Sequence, residues 1–327
     1  MSRRAVIQGI GHSIPERILT NDDLSKLVDT TDEWITQRTG IKERRITSED
    51  ETASTLAIAA SVEALAVSKT AAEDLDMIIC ATVTGDMVFP STSCLVQASI
   101  GASNAGAFDV GAACAGFIYS LSIASAMIEN GQIETALVIG VDVLTKFVDW
   151  TDRSTCVLFG DGAGAVVVKG EESDRGVLKT VLLADGNGAE FIKMEAGGSL
   201  HPLCNPKSVG FSNHIYMAGK ETYRFAVTAM GDACLKVIEK AGMTIDEIDL
   251  FVPHQANSRI IDSAAKRLDL SDEKIFVNVH KYGNTSAGSI PLALYEAEKE
   301  GRLKKGMTVL TVGFGAGLVW GANIIRW

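Results

Sequence analysis

The stretch AGAFDVGAACAGFIYSLSIASAMIENG, residues 105–131, decides the fold. It opens with a short apolar run ending at Asp109-Val110 and turns through Gly111-Ala112-Ala113. From Cys114 to Glu129 the chain is apolar almost all round, and Asn130-Gly131 closes it. A segment apolar on every side is a helix buried in a large core, and Asn-Gly just past its end is a stop signal. The pattern predicts a strand, a tight turn of small residues and a buried helix, with Cys114 on that helix's first turn. A thiol there faces unpaired N–H groups and the positive end of the dipole, which favour thiolate and lower its pKa. An unpaired cysteine is most often only a small buried hydrophobe. What lifts Cys114 above that reading is its setting, because small neighbours leave room for a substrate.

Working outward, the chain repeats itself. The helix-like ASTLAIAASVEAL (53–65) leads to the strand-like DLDMIICATV (74–83), and TYRFAVTAMGDACLKVIEKAG (222–242) leads to EIDLFVPHQAN (247–257). Both halves continue with a second helix and then a turn that opens a buried helix, AACAGF at 112–117 and NTSAGS at 284–289. Each such helix closes at a glycine, Gly131 or Gly301, before the strands ALVIGVDV (136–143) and MTVLTVGF (307–314). Each half is expected to finish in a Gly-rich hairpin, FGDGAGAVVV (159–168) and FGAGLVWGANII (314–325). Alternating strands and helices mean α/β sheets covered on their faces. Matching order over five elements favours two similar sheet domains packed together, divided as 1–172 and 173–327. Residues 185–220, rich in Gly, Asn, Ser and Pro, break the pattern and are expected to form a functional loop bordering the site.

Composition narrows the function. A chain of 327 residues that is 46% hydrophobic can build a large core. Its formal net charge of −11 argues against nucleic acid as the main partner. The six cysteines (80, 94, 114, 156, 204, 234) form no CxxC pair and no metal-ligand spacing, as expected of reduced thiols without a metal site. The start, MSRRAVIQGIGHSIPERILT, reaches glycines after only a short apolar run, so a first strand is expected there. No stretch approaches a membrane span. A cytoplasmic protein without membrane contact is the expectation.

Two further segments carry chemistry. VPHQAN (252–257) ends a strand with Pro253-His254, and KYGNTSAG (281–288) places Asn284 at the expected cap of the following helix. By the internal repeat, Asn284 sits at the turn matching Cys114, and pseudo-symmetry brings the two helix starts face to face with His254 beside them. Alone, His254 reads as a structural histidine and Asn284 as a helix cap. Together with Cys114 they make a Cys–His–Asn set.

At this point the sequence resembles a known family. DVGAACAGF, PHQAN and GNTSAGS, with WTDRST and FGDGAGA, resemble β-ketoacyl-acyl carrier protein synthase III, over essentially the whole chain. These are the initiating condensing enzymes of bacterial type II fatty-acid synthesis, built on the thiolase-like fold. The resemblance implies a five-layered αβαβα core with two pseudo-repeated sheet domains, and a homodimer. It implies that Cys114 takes an acyl group from acyl-CoA as a thioester. Malonyl-acyl carrier protein then loses CO2, and the enolate, stabilised by His254 and Asn284, attacks that thioester. Backbone N–H groups of Cys114 and Ala316 would form the oxyanion hole; at 316 family members commonly carry glycine. No cofactor is implied, acyl-CoA being a substrate.

The resemblance extends to binding residues. TTDEWITQRTGIKERRI (30–46) resembles the family's CoA-binding segment, with Trp34 and Arg38, on one helix face, sandwiching the adenine. Arg153 adds a contact, Thr30 and Thr39 follow by position, and Ser154 stands where glycine is frequent. SRIIDSAAKRL (258–268) reads as an amphipathic helix whose basic side holds Arg259, Lys266 and Arg267. A charged helix face is ordinarily just solvated; the family reads this one as the dock for acyl carrier protein, with Arg224 adding to it. Phe89 matches the position where the partner subunit closes the acyl pocket, which points to short starters such as acetyl-CoA. Three alternatives stand beside this reading: a papain-like thiol hydrolase, a related CoA-dependent condensing enzyme of secondary metabolism, and a non-catalytic acyl-binding subunit. The first lacks its local cysteine signature, and the last would have lost Cys114.

Overall fold

A computed structural model describes residues 2–327. One sheet contains β1 (Ser2–Ser13), β2 (Met77–Ala81), β3 (Gly106–Val110), β4 (Thr135–Val143) and β5 (Asp161–Ser173), in spatial order β1-β5-β4-β2-β3. The other contains β6 (Gly176–Ala184), β7 (Leu250–Pro253), β8 (Thr308–Gly315) and β9 (Val319–Arg326), in order β7-β8-β9-β6. Four strands of the first sheet, β1-β5-β4-β2, match β6-β9-β8-β7 of the second in order and in direction. β2 and β4 are parallel, as are β7 and β8; the remaining neighbours toward β1 and β6 are antiparallel.

The repeat is imperfect in two places. Where β3 pairs with β2, the second sheet keeps only one bridge among the described residues, Phe251 to Ile275. Just beyond it the N–H groups of Asn278 and Val279 donate to Gln255 Oε1 at 2.9 and 3.2 Å, which takes them out of any ladder. The expected hairpin at 159–168 is instead part of the long strand β5, joined to β4 across residues 144–160; only β8 and β9 form the tight turn the sequence suggested.

Helices fill the layers around these sheets. They are α1 (Asp32–Thr39), α2 (Ala53–Ser68), α3 (Thr92–Ile100), α4 (Gly116–Glu129), α5 (Gly219–Ala241), α6 (Ser258–Arg267) and α7 (Ser289–Lys299). Ile78 and Cys80 of β2 face the alanine ridge of α2, while Ile79 between them faces α4, the period of two that a strand covered on both faces requires. Leu121 and Ile128 of α4 and Leu294 of α7 lie between the sheets, against Val138 and Val166 on one side and Val252 and Val309 on the other. Met230 and Val237 of α5 and Ile260 of α6 cover the outer face at Phe251 and Leu310. The result is the five-layered αβαβα arrangement that the resemblance implied. Each fully buried aliphatic side chain contributes about 1.5–3 kcal/mol to this core.

The central layer is set by contacts too close for a side chain. A Cβ on Gly140 of β4 would lie 2.2 Å from the Ala287 carbonyl oxygen, and one on Gly315 of β8 would lie 2.6 Å from the Cys114 nitrogen. Each turn that opens a central helix therefore seats on the other sheet, and the two turns meet. Among the described residues no helix is long and apolar enough to cross a membrane.

Candidate active site

Cys114 lies in a single 3-10 turn, Ala113–Ala115, that leads into α4, with Ala113 in a left-handed conformation at φ 44°. That turn aims the residue at a cavity of about 360 Å3 lined also by His254, Asn284, Ser286, Phe314 and Ala316. The thiol does not behave as its helix position suggested. Burial pushes its pKa up to about 12, with the nearby Asp142 carboxylate adding to the rise, and the Ser286 hydroxyl only partly opposes this. Desolvation of the charged form outweighs the dipole, so the resting side chain is a protonated thiol.

His254 follows Pro253 at the end of β7, where its N–H donates to the Val312 carbonyl at 2.7 Å. Its side chain is 1% exposed. Nδ1 is 2.6 Å from Ser289 Oγ, the Phe314 ring stands edge-on at 5.6 Å, and the buried Nε2 has no partner among the described residues. Burial pushes its pKa down to about 3, so the imidazole is neutral at ordinary pH.

Asn284 is held by its backbone, donating to the Leu158 carbonyl at 2.8 Å and accepting from Gly160 at 3.0 Å. It does not cap α7, as its sequence position suggested. Its Oδ1 accepts the Ser286 N–H at 2.9 Å and so starts an intervening 3-10 turn, Ser286–Gly288. Ser286, at φ 50°, is the counterpart of Ala113, so the residue matching Cys114 is Ala287. With Oδ1 occupied, the carboxamide's Nδ2 is the end left to a ligand.

The outer part of the cavity includes Trp34, Arg38 and Arg153. The Arg38 and Arg153 guanidinium carbons lie 4.5 and 5.1 Å from the Trp34 ring centroid, so both cations already rest on the ring an adenine would meet. Arg38, expected to sandwich the adenine with Trp34, here stacks on the Trp34 ring itself. Thr39 borders the cavity, yet its hydroxyl is spent on the Ile35 carbonyl and the Ile41 N–H, at 2.7 and 3.0 Å. Thr30 lies outside the cavity lining. Ser154 Oγ donates to Asp152 at 2.8 Å. Residues 185–220 do border the site, contributing Ile192, Met194 and Met217.

On α6, Arg259 and Lys266 are exposed, and so is Arg224 on α5. Arg267 is tied to Asp232 in a salt bridge and its stem covers Gly231. Asn257 caps α6 through the Arg259 N–H at 2.9 Å and donates to the Arg38 carbonyl at 3.1 Å, joining this basic helix to α1. Phe89 stands apart from the cavity lining, 82% exposed beside exposed Met87 and Val88.

The sequence reading missed Asp142. It is fully buried on β4, and its carboxylate accepts from the Val83 N–H at 2.9 Å, the Thr84 hydroxyl at 2.8 Å and the Ala287 N–H at 3.3 Å. It thereby ties the end of β2 to the turn carrying Asn284. The signal was available: a lone acid inside ALVIGVDV. Burial raises its pKa, opposed by these donors.

Comparison with known proteins decides the family. The family described as 3-oxoacyl-[acyl-carrier-protein (ACP)] synthase III matches residues 108–186, and its C-terminal counterpart matches residues 238–327. The chain is 52% identical to the β-ketoacyl-[acyl-carrier-protein] synthase III of Caldanaerobacter subterraneus subsp. tengcongensis, over 99% of this chain and 98% of that one. The chain belongs to this family. As a member it is a condensing acyltransferase of fatty-acid synthesis. The crystal structure of 3-oxoacyl-[acyl-carrier-protein] synthase III from Aquifex aeolicus VF5 has a TM-score of 0.92 at 49% identity, covering 99% of this chain and 100% of that one. The priming β-ketosynthase of the R1128 polyketide biosynthetic pathway has a TM-score of 0.93 at 36% identity, covering 99% of this chain and 96% of that one. The synthase thus shares its fold with condensing enzymes of more than one pathway.

Proposed function

We propose that the enzyme condenses acetyl-CoA with malonyl-acyl carrier protein through an acyl-Cys114 intermediate. The observation that carries this is one cavity lined by a thiol, a neutral imidazole whose buried Nε2 has no partner among the described residues, and a carboxamide with Nδ2 left over. In the first half-reaction the Cys114 sulfur attacks the thioester carbonyl, the bond to the CoA sulfur breaks, and CoA leaves as the thiol carrying the cysteine proton. The tetrahedral oxyanion lies at the Cys114 and Ala316 N–H groups. In the second, the malonyl carbon–carboxylate bond breaks. CO2 departs and its electron pair becomes an enolate, whose oxygen accepts hydrogen bonds from His254 Nε2 and Asn284 Nδ2. The enolate carbon then attacks the acyl thioester and expels the Cys114 sulfur, which regains a proton.

Acyl-CoA enters past Trp34, Arg38 and Arg153 as a substrate, without a cofactor, and the carrier protein docks on Arg259 and Lys266. The open edge of β3 and the exposed Met87–Phe89 stretch support a homodimer in which Phe89 closes the partner's acyl pocket. Residues 1–172 and 173–327 form its two thiolase-like halves.

Radiolabelled acetyl-CoA tests the chemistry. Wild-type enzyme is expected to become labelled at Cys114 and Cys114→Ala not at all, while His254→Ala acylates but fails to decarboxylate malonyl-acyl carrier protein. An unlabelled wild type, or full condensation by the histidine variant, rejects the assignment.

A further inference from the structure

A neutral imidazole carries one N–H, and the partner of one ring nitrogen decides which nitrogen holds it. Only an Nε2–H tautomer could donate into the cavity, because Nδ1 is turned away to the protein. We infer that Ser289 fixes the His254 proton on Nε2, making Ser289 a positioning residue for the second half-reaction. This rests on the donor role given to His254 above.

The geometry of the Ser289 hydroxyl carries the inference. Its Oγ lies 2.6 Å from Nδ1, and both side chains are 1% exposed, so water does not compete for either group. The same Oγ receives the Gln255 N–H at 3.4 Å. An oxygen accepting from a backbone N–H has its single hydrogen left to give. Among the described residues, Nδ1 is the one acceptor within its reach. With the hydroxyl donating to Nδ1, the ring proton must sit on Nε2. The opposite tautomer would leave the hydroxyl hydrogen without an acceptor and point an Nε2 lone pair at the developing enolate oxygen.

Ser289 also opens α7, directly after the 3-10 turn that Asn284 starts. One short segment, GNTSAGS, therefore presents the carboxamide and orients the imidazole together. A shift of that segment would move both donors at once.

The test uses the full-length enzyme labelled with 15N-histidine, with His254 assigned by its loss in His254→Ala. Wild type is expected to show the Nε2-protonated pattern, and Ser289→Ala a mixed one. Malonyl decarboxylation by Ser289→Ala should fall roughly ten- to a hundredfold, toward the loss seen when an oxyanion donor is removed. Acylation from acetyl-CoA should be unchanged, and Ser289→Thr should restore both the spectrum and the rate. A wild-type spectrum with the proton on Nδ1 overturns the inference even if the alanine variant does not fold. An unchanged tautomer in Ser289→Ala overturns it also, whatever the rate. If Ser289→Ala is unaffected while His254→Ala is inactive, the Ser289 role alone falls; normal decarboxylation by His254→Ala removes the donor role itself.

Discussion

The N–H of Gly160 donates to the carbonyl of Asn284 at 3.0 Å, and a Cβ on Gly160 would stand 2.1 Å from the Tyr282 carbonyl oxygen. The carboxamide is thus positioned by a backbone contact that admits only glycine. Gly160→Ala must push 282–284 away from 158–160. Overpacking of this kind costs about 1–3 kcal/mol. Decarboxylation of malonyl-acyl carrier protein should drop at least about tenfold, since a misplaced donor loses most of its effect, while Cys114 acylation changes little. Equal loss in both half-reactions would show that the glycine serves the fold and not the carboxamide.

Surface charge on α6 should separate by pairing. Arg259 and Lys266 make no salt bridge among the described residues, whereas Arg267 is held by Asp232. Arg259→Glu with Lys266→Glu should raise KM for malonyl-acyl carrier protein several-fold at low salt, with less effect at high salt. Arg267→Gln should matter less for that KM. Acetyl-CoA acylation should not respond to either change, and steady-state kinetics at two ionic strengths reads all of this.

Buried His254 makes stability depend on pH in a defined direction. Its folded pKa is pushed down to about 3, while the unfolded chain binds a proton near 6.5. Below 6.5 the unfolded state holds more protons, so stability falls as pH drops, by about 1.4 kcal/mol per unit from this residue until the folded value is reached. Denaturant midpoints between pH 7 and 5 should decline less steeply for His254→Asn than for wild type. Parallel curves would mean the imidazole is solvated in the folded enzyme.

Thiol chemistry should follow burial. With the Cys114 pKa up at about 12, the thiolate fraction grows about tenfold per pH unit through the neutral range. Iodoacetamide labelling of the Cys114 peptide, followed by mass spectrometry between pH 6 and 9, should rise without levelling off. A plateau below pH 8 would show that the dipole of α4 prevails after all.

The apolar runs and small-residue turn of residues 105–131 were enough to give strand, turn and helix, because a helix apolar on all sides has only the interior to go to. The duplicated order was legible for the same reason, as both sheets are covered on both faces. That His254 and Asn284 share a cavity with Cys114 was legible from residue type and the repeat. What each bonds to was not, because Ser289, Asp142 and Gly160 act through contacts far along the chain. Cys114 shows the limit most clearly: its helix start is local and visible, whereas the desolvation that raises its pKa depends on every element around the cavity. The stacking of Arg38 and Arg153 on Trp34 was similarly hidden, being a choice between packing partners that spacing does not express.

Ala287 rests on Gly140 and Cys114 on Gly315, one bare-backbone seat in each direction between the sheets. The polypeptide crosses between those sheets once, near residues 173–176. A chimera spliced at that crossover from two relatives would therefore divide both seats between different parents. Hybrids of this scaffold should work only when the donors agree at all four positions, so sequence drift on one side of the splice is constrained by the other.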